Sequence, residues 1–287
     1  MAWRDTLRSL RGVIGETFTL THVLQGTAAV IGMNVGIMGG MFGAYRWWYA
    51  DYLESMEKFK AQHGRLPPEQ HRLEAFAFAA EKYDASMGNE FGADYYRGQL
   101  LIKARGDVLE VAVGTGRCFG TLTKSGLIKS YVGVDKLQEM IDVAATKLRS
   151  LPFEARLLRA DSASLPFPDK SFDTVIGSLC LCSVEQPEAT LDEMARVCRD
   201  DGRILLVEPG LSCRMLIRKA QEWFGLIPDP RHAWTCGWFD DLEPRKVLQG
   251  AQRAKLLRLE PSWLGNWYMI TAAPRVPSDA VTTGGCD

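Results

Sequence analysis

The sequence has almost no net charge. Its 287 residues include 34 lysines and arginines and 35 aspartates and glutamates, which leaves a formal charge of -1 at pH 7. Proteins that bind the phosphate backbone of nucleic acid usually carry a clear basic excess, so we expect no nucleic-acid partner. With 46% hydrophobic and 24% charged residues, the chain can bury one sizeable core and is neither disordered nor fibrous.

Paired cysteine motifs are also missing. The seven cysteines are an odd number, scattered at positions 118, 180, 182, 198, 213, 236 and 286. This pattern does not predict a disulfide framework, and it favours a reducing compartment. Cys180 and Cys182 alternate on one face of a predicted strand, but CxC lacks the paired CxxC spacing of structural zinc sites. We therefore expect small core residues at these positions and no metal site.

Formal charge is absent from a long stretch near the N-terminus. Between Glu16 and Arg46 lie 29 residues without a formally charged side chain. A span of about 20 apolar residues crosses a bilayer as a helix. Arg46 is followed by Trp47, Trp48 and Tyr49, residue types that suit the membrane interface. The pattern predicts a transmembrane helix over 23–49, with a buried hairpin or a cleavable signal as alternatives.

Two further patterns extend this prediction. Gly32, Gly36 and Gly40 recur every four residues, which would open one helix face to close packing by a partner helix. The segment 1–22 carries three arginines on one helical face, as mitochondrial import sequences do, although its acidic residues weaken the signal. We expect a single-pass protein of the mitochondrial inner membrane, with the endoplasmic reticulum membrane as the alternative.

The rest of the chain divides into a linker, a domain and a tail. Residues 50–71 are charged and contain Pro67 and Pro68, which predicts a linker. Residues 274–287 show no periodicity, which predicts a disordered tail. The folded domain is then expected at 72–273.

A doubly wound α/β fold is predicted by the order of apolar runs in that domain. Runs typical of strands lie at 107–113, 131–134, 155–158, 173–182 and 203–208, and amphipathic helical stretches lie between some of them, at 137–149 and 188–199. Strands that alternate with helices favour a parallel sheet, in which ligands bind beyond the carboxyl ends of the strands.

The first of these strands leads into the glycine turn VAVGTG. Asp135 closes the next strand 25 residues after Glu110, and an acidic residue at about that distance commonly binds ribose hydroxyls. Ala112 stands where a first glycine would be expected. Phe119 stands three residues after Gly116, where a dinucleotide fingerprint would place glycine, which speaks against NAD or FAD.

Five motifs in order resemble those of class I S-adenosylmethionine-dependent methyltransferases. They are AEKYDASMGNEF, LEVAVGTGR, VGVD, ADSASLPFPDKSFDTVIGSL and LDEMARVCRDDGRILLVEPG, and they cover roughly residues 80–210. Together with a late HAWTCGWF, the sequence looks most similar to the membrane-anchored Oms-one-type mitochondrial and methyltransferase-like-seven families. The resemblance implies a Rossmann-like, mostly parallel seven-stranded sheet and S-adenosylmethionine as cofactor.

The resemblance also implies a set of cofactor-binding residues. Glu110 would anchor the methionine end, Asp135 would accept both ribose hydroxyls, and Asp161 would accept the adenine amine. Gly114 and Gly116 would let the backbone approach the cofactor. Ala112 would be the small residue at the first glycine position of the same cofactor-binding loop. Ser162 would lie near the ring, while Ser178 and Leu179 would line the methyl pocket.

Catalysis by this family needs alignment more than it needs a catalytic side chain, because the sulfonium methyl is already activated. A general base matters only if the acceptor must lose a proton, and the candidates are Tyr83, Glu208 and His232. His232 is equally explained by packing among the tryptophans that follow it. An aromatic cluster would either cover the acceptor or belong to the late core: Trp234, Trp238, Phe239, Trp263, Trp267 and Tyr268.

Three functions are consistent with these features. The first is an enzyme that methylates a small lipophilic acceptor, either a quinone precursor or a thiol, by in-line displacement. The alternative is a methyltransferase-fold assembly or structural subunit of a mitochondrial membrane complex with weak or no catalysis. A methyltransferase of RNA or protein is the third, and neither a basic patch nor an Asn-Pro-Pro-Tyr signature supports it.

Overall fold

The computed structural model describes residues 20–64, 67–86, 92–223, 231–238, 242–262 and 265–276. The chain divides into two compact units, 1–58 and 59–287. The targeting segment predicted for 1–22 lies outside the described residues up to residue 19, and the tail predicted for 274–287 lies outside them from residue 277.

A single helix, α1 (Leu20–His63), runs through the predicted membrane segment and continues into the predicted linker 50–71. Among the described residues, no helix is long and apolar enough to cross a membrane, so the transmembrane helix expected at 23–49 is not found. Asn34 and the six glycines between His22 and Arg46 lower the mean hydropathy of this segment.

The glycine face of α1 is open within the part of the chain that the structure describes. A Cβ atom added at Gly32, Gly36 or Gly40 would meet no atom within 4 Å. The partner helix predicted from their spacing therefore stays a prediction.

The second unit is built on a seven-stranded sheet whose order is β3-β2-β1-β4-β5-β7-β6. Strands β1 to β5 are parallel, and β7 runs antiparallel to both β5 and β6, so the sheet is mixed. The predicted Rossmann-like α/β fold with a mostly parallel sheet is confirmed. The strands are β1 (Gly106–Val111), β2 (Ile128–Asp135), β3 (Glu154–Arg159), β4 (Phe172–Ser178), β5 (Cys198–Pro209), β6 (Ala254–Pro261) and β7 (Trp267–Pro274).

Helices cover this sheet and connect its strands. They are α2 (Glu69–Ala79), α3 (Tyr83–Ser86), α4 (Ala93–Leu100), α5 (Phe119–Leu122), α6 (Gln138–Leu148), α7 (Pro187–Val197), α8 (Met215–Trp223), α9 (Arg231–Cys236) and α10 (Pro244–Gly250), with short 3-10 turns at Ala80–Lys82 and Leu101–Lys103. The apolar spacing explains their packing: α6 buries Met140, Ile141 and Ala144, which lie on one helical face.

The burial of each strand follows its apolar content. The central strand β1 buries Val108, Leu109 and Val111 completely, whereas the edge strand β3 alternates between exposed and half-buried residues. Strand β4 ends at Ser178, four residues before the predicted boundary, because Leu179 adopts a left-handed backbone with φ of 54° and turns the chain.

The order of the strands creates the site. Strand β1 lies between β2 and β4; the chain continues from β1 to β2 on one side and from β4 to β5 on the other. The loops that follow β1 and β4 therefore diverge and leave a crevice between them at the carboxyl edge of the sheet.

Candidate active site

The glycine turn after β1 is built from left-handed residues. Ala112, Gly114 and Gly116 have φ angles of 56°, 53° and 79°. A residue with a Cβ atom takes this conformation at a cost of roughly 1–2 kcal/mol. Ala112 therefore has a positive φ angle, which is strained for a residue with a Cβ atom, and the turn forms despite this strain.

The two glycines of this turn are required for different reasons. A Cβ atom at Gly116 would lie 2.8 Å from Cε2 of Phe119, so this glycine allows the start of α5 to pack closely. A Cβ atom at Gly114 would meet nothing within 4 Å, and Gly114 lines a cavity. Only Gly114 thus keeps space open on the ligand side.

Asp135, at the end of β2, stabilises this turn by a hydrogen bond. Its Oδ2 accepts a hydrogen bond from the Gly114 amide at 2.9 Å, and its Oδ1 accepts one from the Leu137 amide at 3.0 Å. Burial raises the pKa of Asp135, and the backbone hydrogen bonds act in the opposite direction. Each carboxylate oxygen keeps a second lone pair that a ligand hydroxyl can use.

Glu110 lies at the inner end of the cavity. Its side chain is buried, and its Oε2 accepts a hydrogen bond from the Tyr131 hydroxyl at 2.6 Å. Burial raises the pKa of Glu110 to about 7, while Tyr131 and the nearby Arg97 favour the ionised form.

Arg97 is a cavity residue that the sequence interpretation missed. Its Nε donates to Ser178 Oγ at 2.7 Å and its Nη1 donates to Asp94 Oδ1 at 2.6 Å, so it links α4 to the end of β4. A signal was present, because Arg97 occupies the buried face of α4 between Ala93 and Leu100 at spacings of four and three. An arginine at such a position has to meet a polar site.

Asp161, the expected partner of the adenine amine, already has two partners. Its Oδ2 pairs with Lys136 Nζ at 2.7 Å, and its Oδ1 accepts the Ala163 amide at 2.9 Å. Lys136 also contacts Glu69 Oε1 of α2 at 2.6 Å. The resulting bridge joins α2 to the floor of the cavity, another feature that the motif alone did not predict.

The neighbouring residues Tyr83 and Asp84 have different roles. Tyr83 lines the cavity. Asp84 Oδ1 accepts a hydrogen bond from Thr115 Oγ1 at 2.6 Å, and its Oδ2 pairs with Lys147 of α6. Burial alone would raise the pKa of Asp84, but the hydrogen bonds from Lys147 and Thr115 outweigh it and the pKa is lowered. Asp84 thus fastens the segment before β1 to the glycine turn.

One cavity brings most of the predicted cofactor residues together. Those that line it are Glu110, Ala112, Gly114, Asp135, Asp161, Ser162, Ser178 and Leu179. Gly116 is not among the lining residues and acts through Phe119 instead. The individual roles predicted for these residues stay predictions.

The candidate general bases are placed differently from one another. Glu208 does not line the cavity: it is fully buried, and its carboxylate accepts the amides of Cys180, Leu181 and Cys182 at 2.9, 3.0 and 3.3 Å. We therefore correct its assignment from a base to a support of the loop after β4. His232 belongs to α9, and its side chain lies outside the described residues.

The aromatic cluster also separates. Trp238 lines the cavity, whereas Trp267 and Tyr268 are buried in β7. Phe239 and Trp263 lie outside the described residues. Cys180 and Cys182 lie in the hydrophobic core, as predicted. Over the described ranges, no group of three side chains that could hold a metal is found.

Comparison with known proteins decides the family. Residues 109–206 match the family described as a methyltransferase domain. A demethylmenaquinone methyltransferase from Lactobacillus johnsonii is 30% identical over 173 residues, which cover 56% of this chain and 70% of that protein. The chain belongs to the class I S-adenosylmethionine-dependent methyltransferases.

Other relatives of this methyltransferase match shorter regions. A phosphatidylethanolamine N-methyltransferase from Cereibacter sphaeroides is 35% identical over 128 residues, 44% of this chain and 62% of the relative. For a demethylmenaquinone methyltransferase from Tropheryma whipplei, the chain spans 44% of the relative's length at 32% identity. The chain thus spans less than two thirds of the length of either relative.

Two solved structures share the methyltransferase fold. A methyltransferase from Aquifex aeolicus aligns with a TM-score of 0.51 at 18% identity, over 70% of this chain and 98% of that one. One from Leishmania major aligns with a TM-score of 0.53 at 12% identity, over 71% and 82%.

The cavity fits S-adenosylmethionine, the cofactor of this methyltransferase family. Arg97 and Glu110 place opposite charges at its inner end, where the charged groups of a methionine can bind. Asp135 offers carboxylate lone pairs to ribose hydroxyls. An adenine ring would meet apolar side chains and a short polar stretch among the other lining residues, namely Leu137, Met140, Ala160, Asp161 and Ser162.

Proposed function

We propose that this protein transfers the methyl group of S-adenosylmethionine to a small, lipophilic acceptor, foremost a quinone precursor. The observation that carries the proposal is the two-sided cavity. The ends of β1 and β2 contribute polar residues to it, and α2 and the loop after β4 contribute apolar side chains, including Leu73, Phe76 and Val184, beside the charged Arg72 and Glu185. The relatives named for demethylmenaquinone support this acceptor class, and a thiol acceptor is the alternative within it.

The chain's own residues would perform the alignment that methyl transfer requires. When bound, S-adenosylmethionine supplies a methyl group activated by its sulfonium. Asp135 and Asp161 would hold the nucleoside, and Arg97 and Glu110 would hold the methionine end. Ser178 and Leu179 lie at the end of β4, between the cofactor side and the apolar side, where the acceptor would meet the methyl group. Placement of both partners and exclusion of water would supply most of the rate enhancement.

A calorimetric titration of the full chain with S-adenosylmethionine tests the cofactor site. We expect binding that Asp135→Ala abolishes, because this change removes the ribose acceptor and releases the glycine turn. Asp200→Asn is the matched control: Asp200 is an acidic residue that pairs with Lys170 and does not line the cavity. A folded protein that does not bind millimolar cofactor contradicts the proposal.

Transfer is tested with radioactive methyl-labelled cofactor and a short-chain demethylmenaquinone in its reduced form. We expect label in the naphthoquinone ring, and a lipophilic thiol tests the alternative acceptor in parallel. Cofactor binding without transfer to either compound would favour the second function, a methyltransferase-fold subunit of a membrane complex.

We also propose that the first unit associates with a membrane. Large apolar side chains of α1 are exposed at Val30, Ile31, Met33, Val35, Ile37, Met38 and Met41, followed by exposed Trp47 and Trp48. Such a surface suits the interface of a bilayer, which would bring the enzyme to a lipophilic acceptor. Flotation with vesicles of phosphatidylcholine and cardiolipin tests this, with Ile37→Glu and Met41→Glu expected to reduce binding. Residence in the mitochondrial inner membrane rests on the sequence and is tested by microscopy of the tagged full chain.

A further inference from the structure

Arg72 of α2 is a buried cation in the cavity wall. Only 2% of its surface is exposed, and it lines the same cavity as the cofactor residues. Its Nη1 donates to the Ser183 carbonyl oxygen at 2.6 Å, while its Nε is buried without a hydrogen-bond partner. Within the described residues its guanidinium forms no ion pair with a carboxylate. A buried N–H group without a partner costs free energy, so a ligand atom that accepts a hydrogen bond from Arg72 Nε would be stabilised there.

The charges around Arg72 favour a ligand with a single negative charge. Burial lowers the pKa of Arg72, and the negative charges of Glu185 and Glu69 counteract this effect. Glu69 is paired with Lys136, and Glu185 lines the same cavity. A phosphate would meet repulsion from Glu185, whereas one delocalised charge beside the guanidinium would meet less.

Apolar side chains that line the cavity lie next to Arg72 and its partner along the chain. Leu73 and Phe76 follow it on α2, and Val184 follows its partner Ser183. A Cβ atom at Gly237 would lie 2.8 Å from Phe76 Cε2 and 3.2 Å from the Arg72 carbonyl oxygen, so the segment that carries Trp238 packs directly against this turn of α2. The methionine end has its own cations, Arg97 and Arg117.

We propose that Arg72 binds a phenolate oxygen of the methyl acceptor and stabilises its ionised form. This inference rests on the proposed function and identifies the acceptor as an apolar ring that carries one acidic hydroxyl. By lowering the pKa of that hydroxyl, Arg72 raises the electron density of the ring without a general base, and the hydroxyl proton passes to solvent. Arg72 is thus the residue that selects the acceptor.

The test uses para-nitrophenol, whose phenolate is coloured, and para-nitroanisole, which has no ionisable oxygen. We expect that binding to the full chain lowers the apparent pKa of para-nitrophenol by about one unit, a tenfold preference for the phenolate. Arg72→Met should remove this shift, and Arg72→Lys should keep part of it. Affinities for para-nitroanisole and for S-adenosylmethionine should stay within about twofold in both variants.

Arg203→Met is the matched control, since Arg203 is exposed, donates to the nearby Asp201 and Gly202 carbonyls and is not among the residues that line the cavity. The proposal is overturned if the wild-type protein does not shift the probe's ionisation, or if Arg72→Met shifts it equally. It is also overturned if Arg72→Met weakens cofactor binding instead, because Arg72 would then serve the cofactor. Should Arg72→Met not fold, the comparison of wild type with Arg72→Lys decides. Failure of the wild type to bind S-adenosylmethionine would contradict the proposed function while leaving the phenolate shift measurable.

Discussion

Two neighbouring regions in the middle of the sheet, the carboxyl end of β1 and the carboxyl ends of β4 and β5, carry the same pair of features and use them differently. At the β1 end, Glu110 is buried and Ala112 has a left-handed backbone; at the β4–β5 end, Glu208 is buried and Leu179 has a left-handed backbone. Burial raises the pKa of both glutamates to about 7. Yet Glu110 lines the cavity and bonds a tyrosine hydroxyl, whereas Glu208 bonds three backbone amides and does not line it.

The difference shows that a buried, perturbed carboxylate is not by itself a sign of catalysis. The contacts of the carboxylate decide its role. A carboxylate that lines a cavity can bind a ligand, whereas one that already accepts several backbone amides has its hydrogen-bonding capacity occupied. Glu208 shapes the loop that carries Cys180 to Cys182, so it acts on the acceptor side only through the backbone.

The largest expected effect is a loss of stability when Glu208, at the carboxyl end of β5, is replaced. Glu208→Ala leaves three buried amides without an acceptor, which costs about 3 kcal/mol or more in the free energy of unfolding. Glu208→Gln keeps the oxygen that accepts two of them and should lose clearly less. Urea unfolding measures both. A Glu208→Ala protein as stable as the wild type would mean that these hydrogen bonds are not formed.

A pH series compares the two glutamates directly. The pKa of each carboxyl rises from its ordinary value of 4.5 in the unfolded chain to about 7 in the folded protein, so the folded state binds the proton more tightly between these values. The stabilisation is fully present below about pH 4.5 and is lost as the pH rises through 7, by about 3 kcal/mol for each group. Glu110→Gln and Glu208→Gln should each flatten this slope.

Cofactor binding then separates the two variants. Glu110→Gln should weaken S-adenosylmethionine binding, because Glu110 lines the cavity, and Glu208→Gln should leave it nearly unchanged. Calorimetry at pH 8, where both carboxyls are mainly ionised in the wild type, measures the difference. Equal losses in both variants would contradict the distinction drawn between the two ends.

A smaller effect is expected from Asp84, which contacts the glycine turn after β1. Asp84→Asn removes the ion pair with Lys147 and weakens the bond from Thr115, which should cost about 1 kcal/mol because the pair is partly exposed. We expect a comparable loss of cofactor affinity, since Thr115 belongs to the glycine turn. Asp200→Asn, which breaks the exposed pair with Lys170, is the control and should leave cofactor affinity unchanged.

The sequence predicted the parts of this molecule in which local pattern and neighbouring structure agree. Strand β1 and the turn VAVGTG follow from an apolar run that ends in glycines, and the acidic residue at the end of β2 follows from its distance along the chain. Strands β6 and β7 were not predicted individually. For Trp267 and Tyr268 the sequence left two roles open, a cover over the acceptor and part of the late core, and the pairing of their strand with β5 places them in the core.

The partners of charged residues were the least predictable part. Arg72 reaches a carbonyl 111 residues away, and Lys136 joins Asp161 to Glu69 across the cavity. No local periodicity encodes such contacts, because they depend on how α2 packs over the sheet. Glu208 illustrates the same limit. It lies near the end of an apolar strand, as Glu110 does, and the sequence alone does not distinguish the two positions.

The smallest expected effect concerns Ala112 and Leu179, the left-handed residues that follow β1 and β4. Ala112→Gly removes a steric cost of roughly 1–2 kcal/mol and adds back about 0.5–1 kcal/mol of chain entropy in the unfolded state, so it should stabilise the protein by about 0.5–1 kcal/mol. Leu179→Gly relieves the same strain but loses a half-buried side chain that packs against the core, so it should not stabilise. Urea unfolding of both variants at one pH decides. If Ala112→Gly instead destabilises the protein while cofactor affinity is kept, the methyl group of Ala112 contributes packing that outweighs its strain.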